Sequence, residues 1–178
     1  FTNANDASGN IVAIRVGDGT AAGAAMTATI ASNMTFAVSP LSTGGLRKTD
    51  LGTLILTGNS IIRRELAIEA GTLRIDGGAQ VTSVGAVVGG GTIAGLPVIR
   101  LAVNGAGTVF NIGGGALTTS TNGRGFNEQS AIDILNGGTL RDTRSVGHNM
   151  GLGTVVTVSG AGSLLDLSTR VTTLGDLV

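Results

Sequence analysis

The sequence predicts an all-β fold, a parallel β-helix (β-solenoid) of about 20 residues per coil, and three observations predict it. Helix signals are scarce: 31 of the 178 residues are Gly, each costing about 1 kcal/mol relative to Ala inside a helix. The apolar residues alternate with a period of two, as in Thr53-Leu54-Ile55-Leu56-Thr57, Thr72-Leu73-Arg74-Ile75-Asp76 and Leu101-Ala102-Val103, which is the pattern of a strand. Finally, Gly52-Thr53-Leu54, Gly71-Thr72-Leu73 and Gly91-Thr92-Ile93 recur at intervals of 19 and 20 residues. Antiparallel sandwiches space their strands by roughly 8–12 residues and do not restore phase in this way. A leucine-rich repeat would need an Asn-containing consensus and a helical return segment, and the chain has neither.

Taken in order, residues 1–44 form the less regular part, with strands expected at 11–16 and 34–38. The small-residue stretch 21–31 is too short for a membrane span and carries Thr27 and Thr29. From residue 45 the repeat sets in. Leu54, Leu73 and Ile93 are expected to stack as one inward row about 4.8 Å apart, and Leu56 and Ile75 as a second. Thr53, Thr72 and Thr92 then line the outside, with Gly52, Gly71 and Gly91 at a corner that needs positive φ or close approach. Further strands are expected at 66–69, 131–135 and 155–159, separated by glycines at 77–78, 89–91, 113–115 and 137–138. Val103-Asn104-Gly105-Ala106-Gly107-Thr108-Val109 matches Val158-Ser159-Gly160-Ala161-Gly162-Ser163-Leu164 at an offset of 55 residues, close to three periods. With Val109 and Leu164 inward, strict alternation would bury Asn111 and Asp166. An unpaired buried carboxylate is costly, so a bend or bulge is expected that turns Ile112 and Leu167 inward. The whole chain, 1–178, reads as one β-helix segment of roughly nine coils, a rod of about 40 Å.

Composition narrows the function. Eleven basic and eleven acidic residues cancel, and charged residues are 12% of the chain, against roughly 25% in an average domain. This argues against a nucleic-acid-binding surface, which needs a basic stripe. No Cys and a single His, His148, exclude disulfide scaffolds, Cys-based zinc sites and His-cluster metal sites. No serine nucleophile elbow, phosphate-binding loop or calcium loop occurs, and His148 reads as a solvated turn residue. Glu65, Glu69 and Asp76, with Arg63, Arg64 and Arg74 nearby, are the residues a glycan-cleaving reading would use. They read instead as a solvated ladder of ion pairs, and without Trp or Tyr a sugar platform is hard to build. A Thr ladder for ice binding would need Thr-x-Thr on every coil, and only Thr27-Ala28-Thr29 has that form. No cofactor or metal is expected.

The stretch that breaks the repeat is the candidate contact surface. From Gly107 to Gly138 is 31 residues, about 11 more than one coil of the expected length. The excess falls at residues 118–130, a loop in which Arg124, Phe126 and Glu128 are candidate contact residues. The competing reading folds Phe126 back over one coil.

Residues 45–59, Gly-Leu-Arg-Lys-Thr-Asp-Leu-Gly-Thr-Leu-Ile-Leu-Thr-Gly-Asn, resemble the passenger-associated transport repeat of bacterial autotransporters. That pattern runs G-L-x-K-x-G-x-G-T-L-x-L-x-G-N, and the likeness continues through Ile68-Glu69-Ala70-Gly71-Thr72-Leu73-Arg74-Ile75. The chain departs from it at Asp50, where the family frequently has Gly. It departs again at Ser60-Ile61-Ile62-Arg63-Arg64-Glu65, where the family has Asn-Thr-Tyr-Thr-Gly-Gly. The resemblance implies a right-handed, three-faced β-helix in an exported passenger domain, with a signal peptide and a membrane β-barrel elsewhere in the protein. A chain that opens on Phe1 is expected to be a piece of that longer protein.

The functional expectation is a surface-exposed structural or adhesive rod on a bacterial cell, exported across the outer membrane and without catalysis. Its expected partners are a host-cell or matrix surface or another copy of itself, through end-to-end or side contacts. The alternatives are a polysaccharide-active β-helix enzyme domain and a pure stalk or spacer.

Overall fold

The computed structural model describes residues 11–36, 38–39, 42–43, 45–89, 99–113, 117–119, 130–142, 148–150, 154–167 and 171–174. Most of these lie in β-strands, and the one described helix is a short 3-10 turn at Ala21–Ala25. All pairing is parallel except for one small antiparallel pair, Val38–Ser39 with Ser42–Thr43.

The parallel strands form three ladders. The first contains Thr27–Ile30, Thr53–Leu56, Thr72–Ile75, Ile99–Asn104, Ser130–Leu135 and Val155–Ser159. The second contains Met34–Thr35, residues 60–62, residues 80–83, Val109–Ile112, Thr139–Asp142 and Leu164–Leu167. The third contains Ile11–Arg15, Gly45–Thr49, residues 66–68, residues 86–88, Leu117–Thr119, His148–Met150 and Val171–Leu174. Two long strands, Ser60–Ile68 and Gln80–Val88, run through the corner between the second and third ladders. Among the described strands the chain passes from first to second to third ladder six times, always in that order. This is the sheet arrangement that a β-solenoid requires.

The alternation read from the sequence sets the rows. Leu54 and Leu73 are opposite each other, as are Leu56 and Ile75, all fully buried, while Thr53 and Thr72 face outward. Leu101 takes the place in the row expected of Ile93; Ile93, Thr92 and Gly91 lie outside the described residues. The inward row is therefore Ala28, Leu54, Leu73, Leu101, Ile132, Val156, and its steps are 26, 19, 28, 31 and 24 residues. A 19-residue step occurs once, so the registers give longer and fewer turns than a uniform 20-residue coil. Parallel pairing fixes which residues oppose one another and leaves the connecting length free. For the same reason the 55-residue offset between Val103 and Val158 is two steps, through Ile134, rather than three periods.

A single apolar cluster draws on all three ladders: Leu54, Leu73 and Leu101 from the first, Val81 and Phe110 from the second, Leu66 and Val88 from the third. Each such side chain contributes roughly 1.5–3 kcal/mol by leaving water.

One expectation about register is corrected. Val109 faces outward and half-exposed, Phe110 and Ile112 are sealed in the core, and the pairing with Thr139–Asp142 runs without interruption. Leu164 is likewise outward, and Leu165 and Leu167 pack against the core. No bulge is needed to turn Ile112 and Leu167 inward, because the starting phase is the opposite of the one assumed. The same phase brings a different carboxylate inside. Asp142 sits between Ile112 and Leu167 in the inward row and is fully buried.

Candidate contact surface

The corners that flank the first ladder are where this fold concentrates its polar chemistry. At the corner leading in, Lys48 alternates with Leu46 and so points inward, stacked between Ile14 and Ile68 with no exposed surface. Its Nζ donates to the carbonyls of Thr49 (3.0 Å), Asp50 (2.5 Å) and Ala70 (3.0 Å). Three acceptors match the three N–H bonds of an ammonium. Burial nonetheless pushes the amine down to about 8, with the Asp50 charge opposing. Asp50 has φ 66°, a left-handed conformation, which explains why Gly is frequent there in the pattern the chain resembles. Its carboxylate accepts from Arg15 Nε (2.8 Å), from Leu51 N–H (2.8 Å) and from Gly19 N–H (2.9 Å). The Arg15 hydrogen bond leads these contacts in holding the carboxyl below its usual range.

Gly52 and Gly71 stand at this corner as expected. Gly71 has φ +65°, and a Cβ there would lie 2.5 Å from the carbonyl oxygens of Leu51 and Gly52. Gly91 lies outside the described residues.

At the corner leading out, side chains pair along the stack. Asn136 Nδ2 donates to Asn104 Oδ1 (2.8 Å), and Asn104 Nδ2 donates to Asp76 Oδ1 (3.1 Å). A second file runs beside it: Asn59 N–H donates to Asn33 Oδ1 and Gln80 N–H to Asn59 Oδ1. Burial raises the Asp76 carboxyl, but the Gly77 N–H, the Asn104 amide and Arg74 together outweigh it and leave the group lowered.

The acids singled out for a glycan-cleaving reading do not converge. Glu65 lies at the corner between the second and third ladders. Glu69 directly follows a third-ladder strand and pairs with Arg47 (3.0 Å), and Asp76 directly follows a first-ladder strand and pairs with Arg74. Of the residues expected to form a ladder of ion pairs, Arg74 and Asp76 pair with each other, and Glu69 pairs with Arg47 instead; further pairs join Arg15 to Asp50, Arg100 to Asp133 and Arg141 to Asp166. His148 begins a third-ladder strand opposite Val171 rather than sitting in a turn. Arg124, Phe126 and Glu128 lie outside the described residues. Among the described residues no three His, Cys, Asp or Glu side chains are placed to hold a metal ion. No described helix is long and apolar enough to cross a membrane.

Sequence reasoning missed Lys48 and Asp142 as inward residues. The signal was present, since Leu46 and Leu140 fix the parity two residues earlier. It was overridden by the rule that Lys and Asp are almost never fully buried.

No family model matches the chain, and no solved structure matches it. The chain is 52% identical over 62 residues to a protein of Brucella suis biovar 1 (strain 1330) named "Adhesin BmaC autotransporter". The similar stretch covers 35% of this chain and 2% of that much longer protein.

Proposed function

We propose that the chain is part of the surface-displayed region of an autotransporter-related adhesin. In this reading its three ladders close into a right-handed β-helix that works as a non-catalytic adhesive rod. The observation that carries the proposal is the 52% likeness to an autotransporter adhesin, borne by a chain whose described strands form parallel ladders around one core. The right hand follows from the general preference of parallel crossovers. The surface supports contact rather than chemistry, because its charges close on one another in pairs instead of converging on a cleft. Export across an outer membrane and display on the cell belong to the same proposal. The partner is a host-cell or matrix surface, or a second copy.

The test is display of residues 1–178 on a non-adherent bacterium, with attachment to epithelial cells and matrix-coated surfaces as the readout. Attachment above the empty-display control is expected. Absence of both attachment and clumping makes the segment a spacer, and release of fragments from a panel of acidic and neutral glycans makes it an enzyme. Deleting residues 118–130 then asks whether that loop makes the contact.

A further inference from the structure

We propose that the outward bulge at residues 63–64 is a docking surface for an acidic protein segment that also carries aliphatic side chains. Where Ser60–Ile68 pairs with Gln80–Val88, Ser83 faces Ile62 and Gly85 faces Glu65, so Val84 alone stands opposite Arg63 and Arg64. A bulge of two residues against one takes the extra residue out of the ladder and re-aims its side chains. Arg63, Arg64 and Glu65 are all exposed. Beside them Ile61 is 46% and Val84 44% exposed, which sets two aliphatic side chains next to the cationic turn.

This site differs from the rest of the outer surface. Arg15, Arg47, Arg74, Arg100 and Arg141 each close on a carboxylate of this chain. Among the described residues Arg63 closes on none, so its planar fork of donors is open to a carboxylate from outside. Ile61 and Val84 choose between partners of the same charge. A densely charged glycan presents hydroxyls, carboxylates and sulfates rather than alkyl side chains to lay on them, and the chain lacks Trp and Tyr for stacking on a sugar. Glu65 on the same turn repels a densely charged polyanion while tolerating a segment that carries single acids. A peptide alternating Asp or Glu with Leu or Val satisfies both requirements at once. This deepens the adhesive reading by naming a partner class and rests on it only for the setting; peptide binding and cell attachment can fail separately.

The experiment is an NMR titration of the isotope-labelled chain with such an acidic-aliphatic peptide, with a Lys-for-acid version of it, and with heparin. The expected result is shifts centred on residues 61–65 and 84 with the acidic peptide alone. Replacing both Arg63→Ala and Arg64→Ala weakens binding about fivefold or more, Glu65→Gln tightens it, and added salt weakens it. These substitutions sit on exposed positions, and an unchanged circular dichroism spectrum certifies the fold. No peptide binding, shifts elsewhere, or binding indifferent to the arginine substitutions overturns the proposal. Heparin binding at the bulge with the peptide silent also overturns it and makes the site a glycan site.

Discussion

At the corner that leads into the first ladder, one buried ammonium gathers three carbonyls from two coils. At the corner that leads out, no single group dominates: Asn136 donates to Asn104 and Asn104 to Asp76, which also accepts from Gly77 N–H and Arg74. The first device is local, since removing Lys48 takes the donor from the Asp50 and Ala70 carbonyls together. The second is distributed, and each member lost leaves the rest of the file in place. A stacked fold can therefore tie its corners together with one buried charged plug or with a file of amide side chains ending on a carboxylate, and the two differ most in how they fail.

The sharpest way to break this contrast is Lys48→Met, which keeps most of the side-chain volume but takes the ammonium from the Asp50 and Ala70 carbonyls, while Thr49 keeps the Val16 N–H. We expect a loss of about 3–5 kcal/mol in urea unfolding followed by circular dichroism. A loss no larger than that of a surface substitution would show that the plug is dispensable. Gly71→Ala follows at about 2–4 kcal/mol, because the new Cβ meets backbone oxygens at 2.5 Å in a left-handed conformation. Asn104→Ala, which breaks that file between Asn136 and Asp76, should cost only about 1–2 kcal/mol in the same assay. Acid addresses both corners together. The Asp50 and Asp76 carboxyls are lowered in the folded chain, so their contribution is present above the unfolded value near 4 and is lost as pH falls through the folded values. The melting temperature should thus decline below about pH 4, and Asp50→Asn should flatten that decline. The smallest effect is expected from Arg141→Ala, which opens a half-exposed pair at 3.4 Å. It should cost about 0–1 kcal/mol and vanish in high salt.

The strands in the middle of the repeat were legible because alternation there is unambiguous: Thr-Leu-Ile-Leu and Thr-Leu-Arg-Ile each put a leucine at the second place and an apolar residue at the fourth. Alternation gives parity only relative to an anchor. At Val109-Phe110 and at Leu164-Leu165 two apolar neighbours offer two anchors, and the sequence alone favoured the wrong one. Lys48 and Asp142 show the opposite failure, with parity clear and chemistry arguing against it. The repeat length misled for a third reason. Two adjacent coils, through Leu54 and Leu73, happen to join by short links on every side, and their 19-residue spacing was generalised to coils that do not share it. The contact candidates Arg124, Phe126 and Glu128 fall outside the described residues, and the bulge at Arg63–Arg64 left no mark in the alternation, because a run of three polar residues fits either a turn or a bulge.

The links between first and second ladders are three or four residues long at every described passage, whereas those between third and first range from three to eleven. The extra ten-residue links enter after Val88 and after Thr119 and leave the next first-ladder strand in register with the one before it. Length variation is thus kept away from the corner between the first and second ladders. At the other corners the chain can acquire or shed sequence over evolutionary time without resetting the pairing, so diversification and architectural constancy need not compete.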